Sequence, residues 1–219
     1  MVYSSDPVQL ALQELLSRAA ARDERDIAAG WALAATLPEL PDGLTIAQHF
    51  ENTPLAVDRT TADLLHFFAR SIKAQRIVEF GSSFGVSTLA LAAAAAENGG
   101  SLVSTEIIES KARATRALLQ RVGLLEVAEV RAGDALQTLH ADHPIDLLFL
   151  DGHKPLYLPL LQQLEPALTE GALLLADDTE LLEDQAKPFL RYLHSSPAYL
   201  SVNLPTVDGL TVALYSPQE

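Results

Sequence analysis

Arg76-Ile77-Val78-Glu79-Phe80-Gly81-Ser82-Ser83-Phe84-Gly85-Val86-Ser87 runs from an apolar stretch through a small-residue loop into an alanine-rich segment. Residues 76–80 read as a β-strand closed by Gly81, and residues 86–97 as a helix stopped by Asn98-Gly99-Gly100. A strand that turns through small residues into a helix is the opening unit of an α/β sheet.

Downstream the alternation continues. Strands are expected at 102–105, 127–131, 145–150 and 172–176, with helices at 110–122, 158–168 and 181–193 and a short helix after Gly133-Asp134. The 145–150 run is apolar apart from Asp146, as suits a strand covered on both faces. Residues 199–204 and 210–215 can pair antiparallel around Val207-Asp208-Gly209. Right-handed crossovers between these repeats give an α/β fold, Rossmann-like, with a mostly parallel sheet and helices on both faces.

Upstream, the rhythm is helical. Residues 8–21 and 24–37 carry apolar residues at helical spacing, with Asp6-Pro7 capping the first and Pro38 stopping the second. Another helix is expected at 58–72, its apolar face made by Leu64, Leu65, Phe67 and Phe68. The division is an N-terminal helical extension, 1–57, and a core, 58–219. Trp31, Phe50 and Thr53-Pro54 of the extension are expected to cover a pocket or to form a dimer contact.

The composition narrows the function. Twenty-nine acids against 15 bases leave a net charge of −14, which disfavours nucleic acid because a phosphate backbone needs a basic surface. With no cysteine, disulfides, thiolate catalysis and Cys-based zinc sites drop out. No signal-peptide pattern and no membrane-length apolar run is read, so a cytoplasmic protein is expected.

Open α/β sheets bind ligands at the carboxyl ends of their strands. Those ends carry Glu79-Phe80-Gly81, Thr105-Glu106, Ala132-Gly133-Asp134, Asp151 and Asp177-Asp178, so each strand closes in an acid, a glycine or both. Gly81 and Gly85 allow close backbone approach, and the following helix N-terminus favours a negative group. Glu106, 21 residues after Gly85, is placed to accept both hydroxyls of a ribose. The alternative is a tight turn with a solvated glutamate. The loop matches neither the dinucleotide fingerprint nor the P-loop, which leaves adenosine without a pyrophosphate as the candidate.

Asp151, Asp177 and Asp178 close two successive strands, which lie about 4.8 Å apart when adjacent. Three unpaired carboxylates would repel and raise one another's pKa; an oxygen-seeking ion such as Mg²⁺ resolves that, and solvated caps are the plainer reading. Lys154, one of four lysines, is a candidate base whose ammonium form a metal and a closed pocket would disfavour. His153 competes for the role.

The segments Val78-Glu79-Phe80-Gly81-Ser82-Ser83-Phe84-Gly85-Val86-Ser87 and Leu150-Asp151-Gly152-His153-Lys154-Pro155-Leu156-Tyr157 resemble motifs of the class I, S-adenosylmethionine-dependent O-methyltransferases. The similarity is to the cation-dependent catechol and caffeoyl-CoA group and runs over roughly 58–215. It implies a seven-stranded sheet with an antiparallel C-terminal strand. It also implies an S-adenosylmethionine site at Glu79, Gly81, Ser83, Gly85, Ser87, Glu106, Gly133, Asp134, Ala135 and Asp151. By the same resemblance Asp151, Asp177 and Asp178 hold Mg²⁺, Lys154 is the base, a small hydroxylated acceptor is methylated, and the chain is a homodimer. Two departures stand out: Asp178 replaces the family's usual asparagine, and no acid precedes Asp208-Gly209-Leu210. A metal-independent methyltransferase and a non-catalytic S-adenosylmethionine-binding protein are the rival functions.

Overall fold

The computed structural model describes residues 2–34 and 43–217. Seven strands form one sheet: β1 Arg76–Phe80, β2 Ser101–Glu106, β3 Ala128–Ala132, β4 Ile145–Leu150, β5 Leu168–Ala176, β6 Tyr199–Leu204 and β7 Leu210–Tyr215. Their order is β3-β2-β1-β4-β5-β7-β6, and β7 runs antiparallel to both of its neighbours. The antiparallel strand at the C-terminus and the parallel remainder are as the sequence predicts.

Eight α-helices accompany the sheet among the described residues: α1 Asp6–Ala34, α2 Gly43–His49, α3 Arg59–Ser71, α4 Val86–Asn98, α5 Glu109–Arg121, α6 Ala135–Thr138, α7 Tyr157–Leu164 and α8 Glu183–Ser195. The strands alternate between two cores. Ile77, Leu147, Phe149 and Leu175 join α1, α3, α4 and α5 on one face. Val78, Phe80, Leu148, Leu150 and Leu174 join α6, α7 and α8 on the other. That period of two, with both faces apolar, is why β4 reads as a nearly unbroken apolar run.

Two expectations for the N-terminal region change. Helix α1 continues through the join expected between 21 and 24, because Arg22 and Asp23 carry neither of the breakers, Gly or Pro. Its Val8, Ala11, Leu12 and Ala19 are buried at helical spacing. Residues 35–37 of the second expected helix and the Trp31 side chain lie outside the described set. On α3 the buried face is Thr61, Ala62, Leu65 and Ala69. Phe67, expected on it, is 62% exposed, since it falls off the stripe that positions 61, 65 and 69 define.

Register fixes where the chemistry gathers. Phe80 pairs with Thr105 of β2 and with Leu150 of β4, Leu150 pairs with Ala176 of β5, and Glu106 with Ala132 of β3. The next residues along the carboxyl edge are therefore Gly81, Gly133, Asp151 and Asp177. Backbone hydrogen bonds extend the ladder past the strand ends: Asp151 N donates to Phe80 O at 2.8 Å, and Asp177 N to Leu150 O at 3.0 Å.

Candidate active site at the carboxyl edge of the sheet

A cavity of about 560 Å³ opens over this edge. Gly81, Ser83, Glu106, Gly133, Asp134, Ala135 and Asp151 line it, and so do Lys154, Asp177 and Asp178. Seven of the ten expected cofactor positions thus share one space with the expected metal and base positions, of a size that small-molecule sites occupy. Apolar side chains close it: Ile46, Ala47 and Phe50 from α2 and the turn after it, Leu156, and Leu181 and Leu182 ahead of α8.

The glycine loop is built for close approach. Gly81 has φ +97°, and a Cβ there would stand 2.4 Å from the Asp151 carbonyl oxygen. Gly85 has φ +96° and starts α4 against Thr115 and Leu118. Ser83, a non-glycine at φ +44°, is held from several sides. Its N–H donates to Glu106 Oε2 at 2.9 Å, its carbonyl accepts from Thr115 Oγ1 at 2.9 Å, and its hydroxyl donates to the Pro54 carbonyl. Lys111 Nζ donates to the same hydroxyl at 3.3 Å.

Glu106 ends β2 nearly buried, with Oε1 accepting from Ile108 N at 2.9 Å. Each carboxylate oxygen thus takes one backbone N–H and retains a lone pair for another donor. Asp134 caps α6 by accepting from Leu136 N at 2.9 Å. Ser87 lies in α4 beside a narrower cleft between α1 and the glycine loop.

Glu79 stands apart. Expected at the cofactor, it lines neither cavity and is fully buried. Its Oε2 accepts from Thr88 Oγ1 at 2.6 Å and from the Ser104 hydroxyl. Alternation along β1 explains this, because Glu79 shares the face of Ile77, beneath α4. Burial pushes its carboxyl above the usual range, opposed by the Ser104, Thr88 and Ser87 hydroxyls. Gly85 also lies off both cavities and acts through the turn it permits.

The acidic end is organised around Lys154. This side chain is 5% exposed, and its Nζ lies 2.7 Å from Asp178 Oδ2 and 3.6 Å from Asp151 Oδ1. Burial alone would lower its pKa, but Tyr157, Asp178 and Asp151 hold it well above the ordinary lysine value. The carboxylates that face it favour its ammonium form. Burial pushes the Asp151 carboxyl well up against the opposing pull of Lys154. Asp177 is pushed up to about 7 by burial and then by the neighbouring charge of Asp178. Asp178 itself has φ +57°, a strained backbone for a non-glycine.

Asp151, Asp177 and Asp178 share one wall of the cavity, and burial, ahead of the neighbouring carboxylates, raises the first two. Among the described residues, however, no group of three His, Cys, Asp or Glu side chains is gathered to hold a metal. The Lys154 ammonium lies among them instead.

Sequence reasoning did not place Lys111, Gln185 or Asp208 at the site. All three line the cavity. Asp208 had a signal in its Asp-Gly-Leu context, and Lys111 in its position five residues beyond Glu106; Gln185 had none.

With this geometry in view, residues 78–179 match a family described as methyltransferase domain. The chain is 32% identical over 143 residues to a catechol O-methyltransferase of Mycobacterium tuberculosis, a match covering 64% of each protein. It thus spans a little under two thirds of that relative's length. A catechol O-methyltransferase of Niastella koreensis is 28% identical over 175 residues, covering 75% of this chain and 78% of its own. In fold the chain is similar to the O-methyltransferase TomG of Streptomyces achromogenes, solved in complex with SAM. The TM-score is 0.71 at 24% identity, over 91% of this chain and 99% of that one. The seven-stranded fold is shared with that solved O-methyltransferase. Over roughly two thirds to three quarters of its length the chain is similar to catechol O-methyltransferases. No described helix is long and apolar enough to cross a membrane.

Proposed function

We propose that this chain transfers the methyl group of S-adenosylmethionine to a hydroxyl of a small phenolic or catechol-like molecule, with Mg²⁺ or a similar ion at Asp151, Asp177 and Asp178. One observation carries the reading: the glycine loop, Glu106, the three aspartates and Lys154 border a single cavity. A ligand on the nucleoside side and a hydroxylated acceptor on the acidic side would meet within it.

S-adenosylmethionine supplies a methyl already activated by the sulfonium, so the protein's task is alignment and exclusion of water. Glu106 accepts the ribose hydroxyls with the lone pairs that Ser83 N and Ile108 N leave open. Gly81 and Ser83 let the backbone approach, Ser87 and the N-terminus of α4 favour the carboxylate tail, and Gly133, Asp134 and Ala135 border the adenine. A divalent cation, when bound, supplies Lewis-acid polarisation of the acceptor oxygens. Lys154 acts as base only as the free amine: its ammonium first passes a proton to the Asp178 carboxylate 2.7 Å away, and the amine then takes the acceptor hydroxyl proton, while Ile46, Phe50 and Leu156 keep water out. The acceptor oxygen gains the methyl, and the sulfur keeps the bonding electron pair.

The extension 1–57 serves in this reading as the acceptor-side cover, supported by Ile46, Ala47 and Phe50 at the cavity wall. A cytoplasmic homodimer belongs to the same proposal, and sedimentation velocity checks the dimer. A metal-independent methyltransferase is the second reading, favoured by the ammonium that stands among the acids.

The test is transfer of labelled methyl from S-adenosylmethionine to a panel of dihydroxyphenols by the purified chain. Label in an O-methyl product is expected, with loss on chelation and recovery on adding Mg²⁺. Transfer that survives exhaustive chelation supports the second reading, and no transfer to any hydroxylated acceptor contradicts both.

A further inference from the structure

We propose that Arg18 of α1 is a cofactor-binding residue whose guanidinium receives the α-carboxylate of the S-adenosylmethionine tail. The inference rests on the cofactor reading above and extends the site to a helix outside residues 78–179, the stretch that matches the methyltransferase-domain family. The narrower cleft between α1 and the glycine loop has two charged side chains on its walls, Arg18 and Asp151, of opposite sign. Its other walls are small or apolar, among them Leu15, Gly81 and Ser87. An α-amino acid carries an ammonium and a carboxylate on one carbon, so a cleft with one anion and one cation is its electrostatic complement. Gly81, Ser83 and Asp151 line this cleft and the larger cavity alike, so a nucleoside in the cavity can extend its tail into the cleft.

The helix puts Arg18 in place. Leu15 and Arg18 are three residues apart, so they share a face of α1, and both line the cleft. The start of the chain is moored to the core at two points ahead of Arg18. Tyr3 N donates to Glu97 Oε1 of α4 at 2.9 Å, and Glu14 pairs with Arg121 of α5 at 2.8 Å. The guanidinium itself rests on the glycine loop, with Cζ 4.5 Å from the centre of the Phe84 ring. A guanidinium held over a ring keeps its N–H donors, which fit a carboxylate two at a time. Lys111, 5.4 Å from the same ring centre, lines the larger cavity and not the cleft. Phe84 is in this account a positioning residue for Arg18.

Calorimetric titration of the full chain with S-adenosylhomocysteine and with its decarboxylated analogue, which keeps the adenosine, the sulfur and the amine, tests this. Arg18→Gln is expected to bind S-adenosylhomocysteine about tenfold more weakly than wild type, the scale of one charge-assisted contact. Its affinity for the decarboxylated analogue should change less than about twofold, because protein and ligand variants together isolate the pair. Arg18→Lys, which keeps the charge, should lose less than Arg18→Gln. Phe84→Leu should lose the preference for the carboxylate-bearing ligand while still binding the analogue. Equal losses for the two ligands in Arg18→Gln would make Arg18 a packing residue of the loop and overturn the proposal. Unchanged S-adenosylhomocysteine affinity in Arg18→Gln would overturn it while the cofactor reading stands, since wild type still binds. No binding of either ligand by wild type overturns both.

Discussion

Ser83 donates its backbone N–H to Glu106 Oε2 at 2.9 Å, tying the loop after β1 to the end of β2. The bond arises because Phe80, the last residue of β1, pairs with Thr105, so the loop leaving β1 passes over Glu106, the next residue of β2. Glu106 is thereby oriented before any ligand arrives, and binding need not fix it. Such preorganisation is what a cofactor site gains from standing on strand ends rather than on a long loop.

Replacing Lys154 separates chemistry from binding. Lys154→Ala is expected to lower turnover by about 10²-fold or more, the usual scale of a lost general base, while S-adenosylhomocysteine affinity changes little. Steady-state kinetics beside calorimetry check this. Turnover near wild type would give the proton to another group, and His153, which lines the same cavity, is the first candidate.

The glycine loop makes a stability prediction with an internal control. Gly81→Ala places a Cβ 2.4 Å from the Asp151 carbonyl oxygen at φ +97°, so backbone must move. Gly99 also has positive φ, +70°, but a Cβ there meets nothing within 4 Å. Urea unfolding should show Gly99→Ala costing about 1–2 kcal/mol, the left-handed penalty alone. Gly81→Ala should cost clearly more, on the order of 3 kcal/mol or above.

The start of the chain gives a pH dependence. His66 stacks on Tyr3 with ring centres 4.1 Å apart, and burial lowers its pKa below the ordinary value. The folded state thus binds its proton less readily than the unfolded state. The stability His66 contributes is full above the unfolded value of about 6.5 and is lost as pH falls through the lower folded value. Thermal unfolding from pH 7 down to 5 should show His66→Phe losing less stability than wild type. Parallel curves would remove His66 from the account.

The sheet was legible because its strands are buried on both faces and end in residues of unusual type. Ile145–Leu150 could be read from apolarity alone, and Gly81, Glu106, Asp151 and Asp177 from their places just past such runs. The unbroken α1 was not legible because helical spacing marks a face but does not mark an end; only a breaker does, and Arg22-Asp23 is not one. Phe67 shows the same limit, since hydrophobicity does not tell whether a residue lies on the buried stripe of its helix. Alternation with Ile77 sets the face of Glu79, which the loop motif by itself does not specify. The Lys154–Asp178 pair was out of reach. Sequence places both residues at the edge, and only packing around Tyr157 decides which partner the ammonium takes.

The central claim, that the carboxyl edge of this sheet holds S-adenosylmethionine through Glu106, is tested most directly by calorimetric titration with S-adenosylhomocysteine. Wild type should show saturable binding, and Glu106→Ala should weaken it by about tenfold to a hundredfold, the loss of charge-assisted hydrogen bonds of about 1.5–3 kcal/mol. No binding by wild type, or equal affinity in the two proteins, would contradict the account.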